Sequence, residues 1–150
     1  MCCWRFFILW RAMAKKQELR IAICGNAANI AALVEQSFRN AYALKLCATE
    51  EALEVLSHAK SHAVDLFIMF LENIVPVYSG GSNDYEAMHS EKLQMVRCLK
   101  SRYKRPIIIF SAFMIPEEVQ KELESAGADR VSVGWPITPE KFREIIIGLL

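Results

Sequence analysis

Apolar positions along this chain switch between a period of about two and a period of 3.6, and the switches mark out its elements. The longest unbroken apolar run is Val64 to Leu71, with Asp65 the single acid near its start. A strand without alternation is apolar on both faces and must be covered on both, as central strands of parallel sheets are. Leu19 to Cys24, interrupted by Arg20, and Ile107 to Phe110, opening after Pro106, read as two more strands of this kind. Leu44 to Cys47 and Arg130 to Val133 instead alternate polar with apolar, the mark of half-exposed strands.

Helical patterns fill the intervals. Ile30, Leu33, Val34 and Phe38 form one buried stripe. Thr49 reads as an N-cap, and Glu50 and Glu51 suit the positive end of the helix dipole, so a second helix is expected to run to about Ala59 and bury Ala52, Leu56 and Ala59. Pro76 to Tyr85, rich in Gly, Ser and Asn, reads as a long loop, with a third helix resuming near Ser90 on a stripe of Leu93, Val96, Leu99 and Tyr103. Pro116, Glu117 and Glu118 start a fourth helix, which buries Val119, Leu123 and Ala126 and stops at Gly127. Thr138, Pro139 and Glu140 cap a fifth, with Phe142, Ile145, Ile146 and Leu149 on its apolar face.

Five strand–helix alternations call for an α/β, doubly wound parallel sheet with helices on both faces. The alternating second and fifth strands belong at the edges, which the flavodoxin-like order 2-1-3-4-5 satisfies. In such sheets ligands and chemistry sit at the carboxyl ends of the strands, here around Phe70.

Composition narrows the function. At 53% apolar and a formal net charge of +1 the chain has a core of its own and no long-range field for nucleic acid or acidic substrates. The cysteines, Cys2, Cys3, Cys24, Cys47 and Cys98, are odd in number and show neither a disulfide framework nor a zinc spacing, which points to a reducing cytoplasm. The sequence divides into an N-terminal extension, 1–16, and a domain, 17–150. The apolar core Phe6 to Trp10 is far shorter than the ~20 residues of a membrane span. Either Met13 is the native start, or the extension is an amphipathic or partner-binding helix.

The quoted strands resemble the receiver domain of two-component response regulators, from about Leu19 to Leu150. Arg20 to Ile30 resembles the family's first strand and loop, with Gly25 and Asn26 where the family carries an acidic pair. Val64 to Phe70 resembles its third strand, with Phe70 at the position of the phosphorylated aspartate. Pro106 to Ala112 resembles its fourth strand, and Ser111 matches the switch Ser/Thr. Gly127, Ala128 and Asp129, followed by Trp135 and Pro136, resemble the run into the end of the fifth strand. A lysine normally precedes that proline; its counterpart here is Gly134 or Trp135, after one inserted residue.

Phosphoryl transfer to a carboxylate needs a nucleophilic oxygen, a Mg²⁺ held by oxygen ligands, and a neighbouring cation. Phe70 has no such oxygen, Asn26 brings one neutral carbonyl, and neither Gly25 nor Trp135 supplies a charge. The resemblance therefore implies a phosphorylation-independent pseudo-receiver of bacterial signalling, a non-enzyme without cofactor that works through protein partners. The family's partner face, helix 4–strand 5–helix 5, would run over Pro116 to Ser125 and Arg130 to Arg143, with a homodimer as one use of it. Two other readings compete: a flavodoxin-like small-molecule domain framed by 76–85 and Trp135, and an atypical phosphoacceptor that draws on Glu72.

Further candidates have plain explanations beside them. Cys24 reads as a buried structural thiol, because no base follows it. His58 and His62, four apart, have metal-ligand spacing but no third ligand in view. Arg97, Lys100, Arg102, Lys104 and Arg105 read as the solvated face of a helix rather than a nucleic-acid patch. Gly80 and Gly81 lack the lysine of a phosphate loop. Pro136 is a candidate cis proline.

Overall fold

A computed structural model describes residues 16–71, 82–112 and 114–150, with backbone alone for 82–89. Its centre is the apolar run singled out above. Strand β3, Leu66–Leu71, is buried along all but its last residue. It lies between β1 (Gln17–Cys24) and β4 (Ile107–Ser111), and β2 (Tyr42–Thr49) and β5 (Arg130–Val133) flank these in the order β2-β1-β3-β4-β5, all parallel. The two alternating strands are the edges, as their half-exposed patterns require.

Because side chains alternate across a sheet, the three central strands feed two separate cores. Ile21 and Ile23, Leu66, Ile68 and Phe70, and Ile108 and Phe110 point to one face. There α1 (Ala27–Phe38) and α5 (Pro139–Ile147) cover them with Ile30, Val34, Phe38, Phe142, Ile145 and Ile146. Ala22 and Cys24, Phe67 and Met69, and Ile107 and Ile109 point to the other face, under α2 (Ala52–Ser61), α3 (Ser82–Tyr103) and α4 (Glu117–Ala126). Helix ends follow the sequence signals where a side chain or φ is decisive. Thr138 accepts a hydrogen bond from the Lys141 amide at 3.2 Å, and α4 stops at Gly127, whose φ of 127° is open to glycine. Among the described residues no helix is long and apolar enough to cross a membrane.

Several expectations change, and Leu33, Leu93, Tyr103 and Val119, expected to be buried, are only partly covered. Thr49 closes β2 rather than capping α2, because β2 pairs with the whole of β1, from Gln17 opposite Tyr42 to Cys24 opposite Thr49. The N-cap is Glu51, and Thr49 serves from outside the helix, its hydroxyl accepting from the Glu51 amide at 3.1 Å and donating to Glu54 at 2.6 Å. Helix α2 runs on to Ser61 and buries Val55 and Ala59, with Ala52 and Leu56 only partly covered. Helix α3 begins at Ser82, well before Ser90, so 82–85 are helical and the part of the expected loop at 76–81 lies outside the described residues.

The amino ends of the strands are joined by one device used twice. The Asp65 amide donates to the Arg20 carbonyl at 2.8 Å while the Asp65 carboxylate accepts from the Arg20 amide at 2.9 Å. Asp129 does the same with Ile107, both bonds at 2.8 Å. Each carboxylate also holds a cation: the Arg20 guanidinium at 3.1 Å from Asp65, and Lys100 at 2.8 Å from Asp129. Burial alone would raise the Asp65 carboxyl's pKa; hydrogen bonds and charge from Arg20, helped by Arg105, outweigh it and hold that pKa below the ordinary value. A depressed carboxylate stabilises the fold above the unfolded-state pKa and loses that contribution as pH falls through the folded value. Denaturant unfolding at a series of pH values is therefore expected to show Asp65→Asn less stable than the parent at neutral pH. The gap should close on acidification below about pH 4, and shrink in high salt because the pair is partly exposed.

Candidate functional site

At the carboxyl edge of the sheet, four of the five residues picked from the sequence meet. Phe70, at the end of β3, is 6% exposed and stands opposite Phe110 in the β3–β4 register. The period-two pattern of β3 carries its ring to the α1–α5 face. Trp135 comes in from beyond β5 and closes over it, with ring centroids 5.5 Å from Phe70 and 5.7 Å from Phe110, both edge-on. The Trp135 amide donates to the Ser111 carbonyl at 3.3 Å, which fixes the turn after β5 onto β4. The Trp135–Pro136 peptide is cis. Ser111 itself is the one buried polar residue among those described.

Gly25 completes the group through its backbone. Its φ of 88° is one that L side chains rarely adopt, and a Cβ placed there would lie 2.8 Å from the Phe70 carbonyl oxygen. The end of β1 is thus pressed against the end of β3. Asn26 does not join. It adopts a left-handed conformation and its side-chain oxygen accepts from Asn29 at 2.7 Å.

Glu50, expected to favour the start of α2, acts on another helix. Its carboxylate caps α1 rather than α2, accepting from the Asn26 amide at 3.0 Å and the Ala27 amide at 2.8 Å. The start of α1, with its free N–H groups and positive dipole end, is therefore occupied by an anion from the chain itself. The signal was available in the strand order: β2 neighbours β1, so a residue just past β2 sits beside the β1–α1 turn. A residue that sequence reasoning missed is Lys92 of α3, whose ammonium lies 4.0 Å from the Cys24 sulfur. Cys24 is fully buried, as a structural thiol is.

A receiver fold implies Mg²⁺ at this edge, and the donors here do not suit it. Mg²⁺ requires hard oxygen ligands in octahedral array. Gly25 and Phe70 offer no side-chain oxygen, Asn26 is turned toward Asn29, and the Glu50 carboxylate is engaged by two backbone amides. Among the described residues no three His, Cys, Asp or Glu side chains converge. Glu72 and the 76–81 segment, on which two of the competing readings rest, lie outside the described residues.

The other candidates separate. His58 and His62 stack in parallel, 4.2 Å apart, with the His58 pKa lowered by burial and by its neighbour. The basic run does not form one patch. Lys100 turns to Asp129, Arg105 borders a cleft of about 680 Å³ at the amino edge, and Arg102 borders a groove between α2 and α3.

No family model and no curated protein matches the sequence. Solved structures do match. A response regulator from Thermotoga maritima superposes with a TM-score of 0.65 at 13% identity, covering 88% of this chain and 97% of the other. The chemotaxis response regulator CheY4 of Vibrio cholerae gives 0.63 at 20% identity, over 89% and 100%. An orphan response regulator of H. pylori gives 0.67 at 13% identity, over 91% and 99%.

Two substitutions test the geometry of this edge. Gly25→Ala is expected to cost roughly 1–3 kcal/mol of unfolding free energy through the positive φ and the clash with Phe70. Glu50→Ala is expected to cost about 0.5–2 kcal/mol, the loss of a helix cap. Glu51→Ala, in which no capping side-chain bond is lost, should be nearly silent in the same denaturation experiment. What these residues assemble is the flavodoxin-like fold of response-regulator receiver domains, with an aromatic cluster at the carboxyl end of its central strand.

Proposed function

We propose that this chain is a phosphorylation-independent pseudo-receiver: a cytoplasmic, non-enzymatic module of two-component-type signalling that acts by binding proteins. One observation carries the reading. Phe70, rather than a carboxylate, stands near the carboxyl end of the central strand, buried under the Trp135 ring, which also packs on Phe110. An acyl phosphate requires a carboxylate oxygen at the reacting position and a metal to neutralise the transferred charge. The residues gathered here supply neither. Glu50 adds to the argument, since it places a fixed carboxylate on the α1 amides and makes the β1–α1 turn a closed structural joint.

The scaffold that would present a partner surface is complete. The α4–β5–α5 face, over Pro116 to Ser125 and Arg130 to Arg143, supports the interaction reading, with Val133 exposed on the edge strand. Association of two copies through this face is part of the proposal.

The test is titration with Mg²⁺ and beryllofluoride, followed by the amide NMR signals of Gly25, Phe70, Ser111 and Ala112. No saturable shift is expected, and Mg²⁺-dependent saturable shifts at these amides would overturn the reading. Phe70→Asp should not create a phosphoacceptor. It should destabilise the fold by roughly 3–5 kcal/mol, because a carboxylate would replace a buried ring in an apolar pocket without a partner cation.

A further inference from the structure

We propose that the groove between α2 and α3 is a second docking surface, fitted to an acidic amphipathic helix of a partner protein. It goes beyond the α4–β5–α5 reading and does not depend on it.

The groove arises from how α3 is seated. Gly127 leaves room for the Lys100 stem, to which an added Cβ would come within 2.6 Å, and Lys100 is tied onward to Asp129. These contacts hold α3 against the end of α4. On the opposite side α3 and α2 stand apart, around a groove of about 320 Å³.

The lining has one consistent chemistry. Leu53, Leu56, Ser57 and Lys60 of α2 fall at i, i+3, i+4 and i+7, a single stripe. Cys98, Arg102 and Tyr103 of α3 face them. The floor is apolar: Leu56, Cys98 and Tyr103 are each half-buried. Leu53 at the upper end is 77% exposed and extends the apolar floor to the surface. Lys60 and Arg102 are exposed cations on the rim, no carboxylate lines the groove, and neither cation makes an ion pair among the described residues. Some other cations are engaged within the fold, Arg20 with Asp65, Lys45 with Glu18 and Lys100 with Asp129.

An apolar floor between two helices, with cations alone on its rim, is complementary to a helix that carries apolar residues at i and i+3 or i+4 and acids beside them. Such a helix would seat its apolar ridge between α2 and α3, against Leu53, Leu56 and Tyr103, and place carboxylates at Lys60 and Arg102.

Selection from a displayed library of random, helix-length peptides on the full chain tests this. Enriched peptides should pair apolar residues at helical spacing with flanking Asp or Glu. They should bind about tenfold or more weakly to Leu53→Lys and to Arg102→Glu. A synthetic member should shift the amide signals of Leu56, Ser57 and Cys98. Both substituted positions are exposed, so unchanged thermal unfolding of the variants is expected alongside the binding loss. The proposal is overturned by no enrichment, by enriched peptides that are basic or uncharged, by binding that survives both substitutions, or by variants that unfold. It is equally overturned if these amides respond to anionic phosphatidylglycerol vesicles and not to the selected peptides.

Discussion

The structure depends on keeping β3 dry on both faces. A strand with Leu66, Ile68 and Phe70 on one side and Phe67 and Met69 on the other cannot sit at an edge or face water. It therefore needs neighbours on both sides and helices above and below, and the rest of the chain supplies them in order. The edges fall to β2 and β5, whose alternating patterns tolerate one wet face. The paired clasps at Asp65 and Asp129 then set register where the strands begin, by matching a backbone bond with a side-chain bond to the same neighbour.

The fold was legible because period and burial coincide in these strands. Continuous runs and alternating runs sort into centre and edge with no knowledge of tertiary contacts, and the observed order satisfies that sorting. Boundaries were less legible, for reasons that are physical. Thr49 carries an N-cap's chemistry and does bond the first amide of α2's entry, yet pairing with β1 extends the strand over it. Helix α3 starts eight residues before Ser90, since a segment rich in Ser, Asn and Asp has poor intrinsic helicity but is carried by a long helix anchored further on at Met95, Val96 and Leu99.

The candidate site was legible residue by residue but not as an arrangement. Gly25, Phe70, Ser111 and Trp135 assemble because their strand ends are adjacent, which strand order implies. That Trp135, rather than Gly134, meets Phe70 depends on the turn after β5, and no periodicity encodes it. Glu50 was visible as a helix-favouring acid but was assigned to the wrong helix. Intrahelical dipole arguments look along the chain, whereas this carboxylate acts across the sheet on α1.

The contact between Gly25 and the Phe70 carbonyl bears on how this edge can change over time. With the two strand ends touching, the Trp135 ring packed on Phe70 and Phe110 behind that ring, a reactive acid cannot be reached by one tolerated substitution. Each intermediate would carry a lone buried charge or an emptied ring site before any metal ligand existed to compensate it. The closure thus behaves as a ratchet for sequence drift. This edge stays committed to its apolar form.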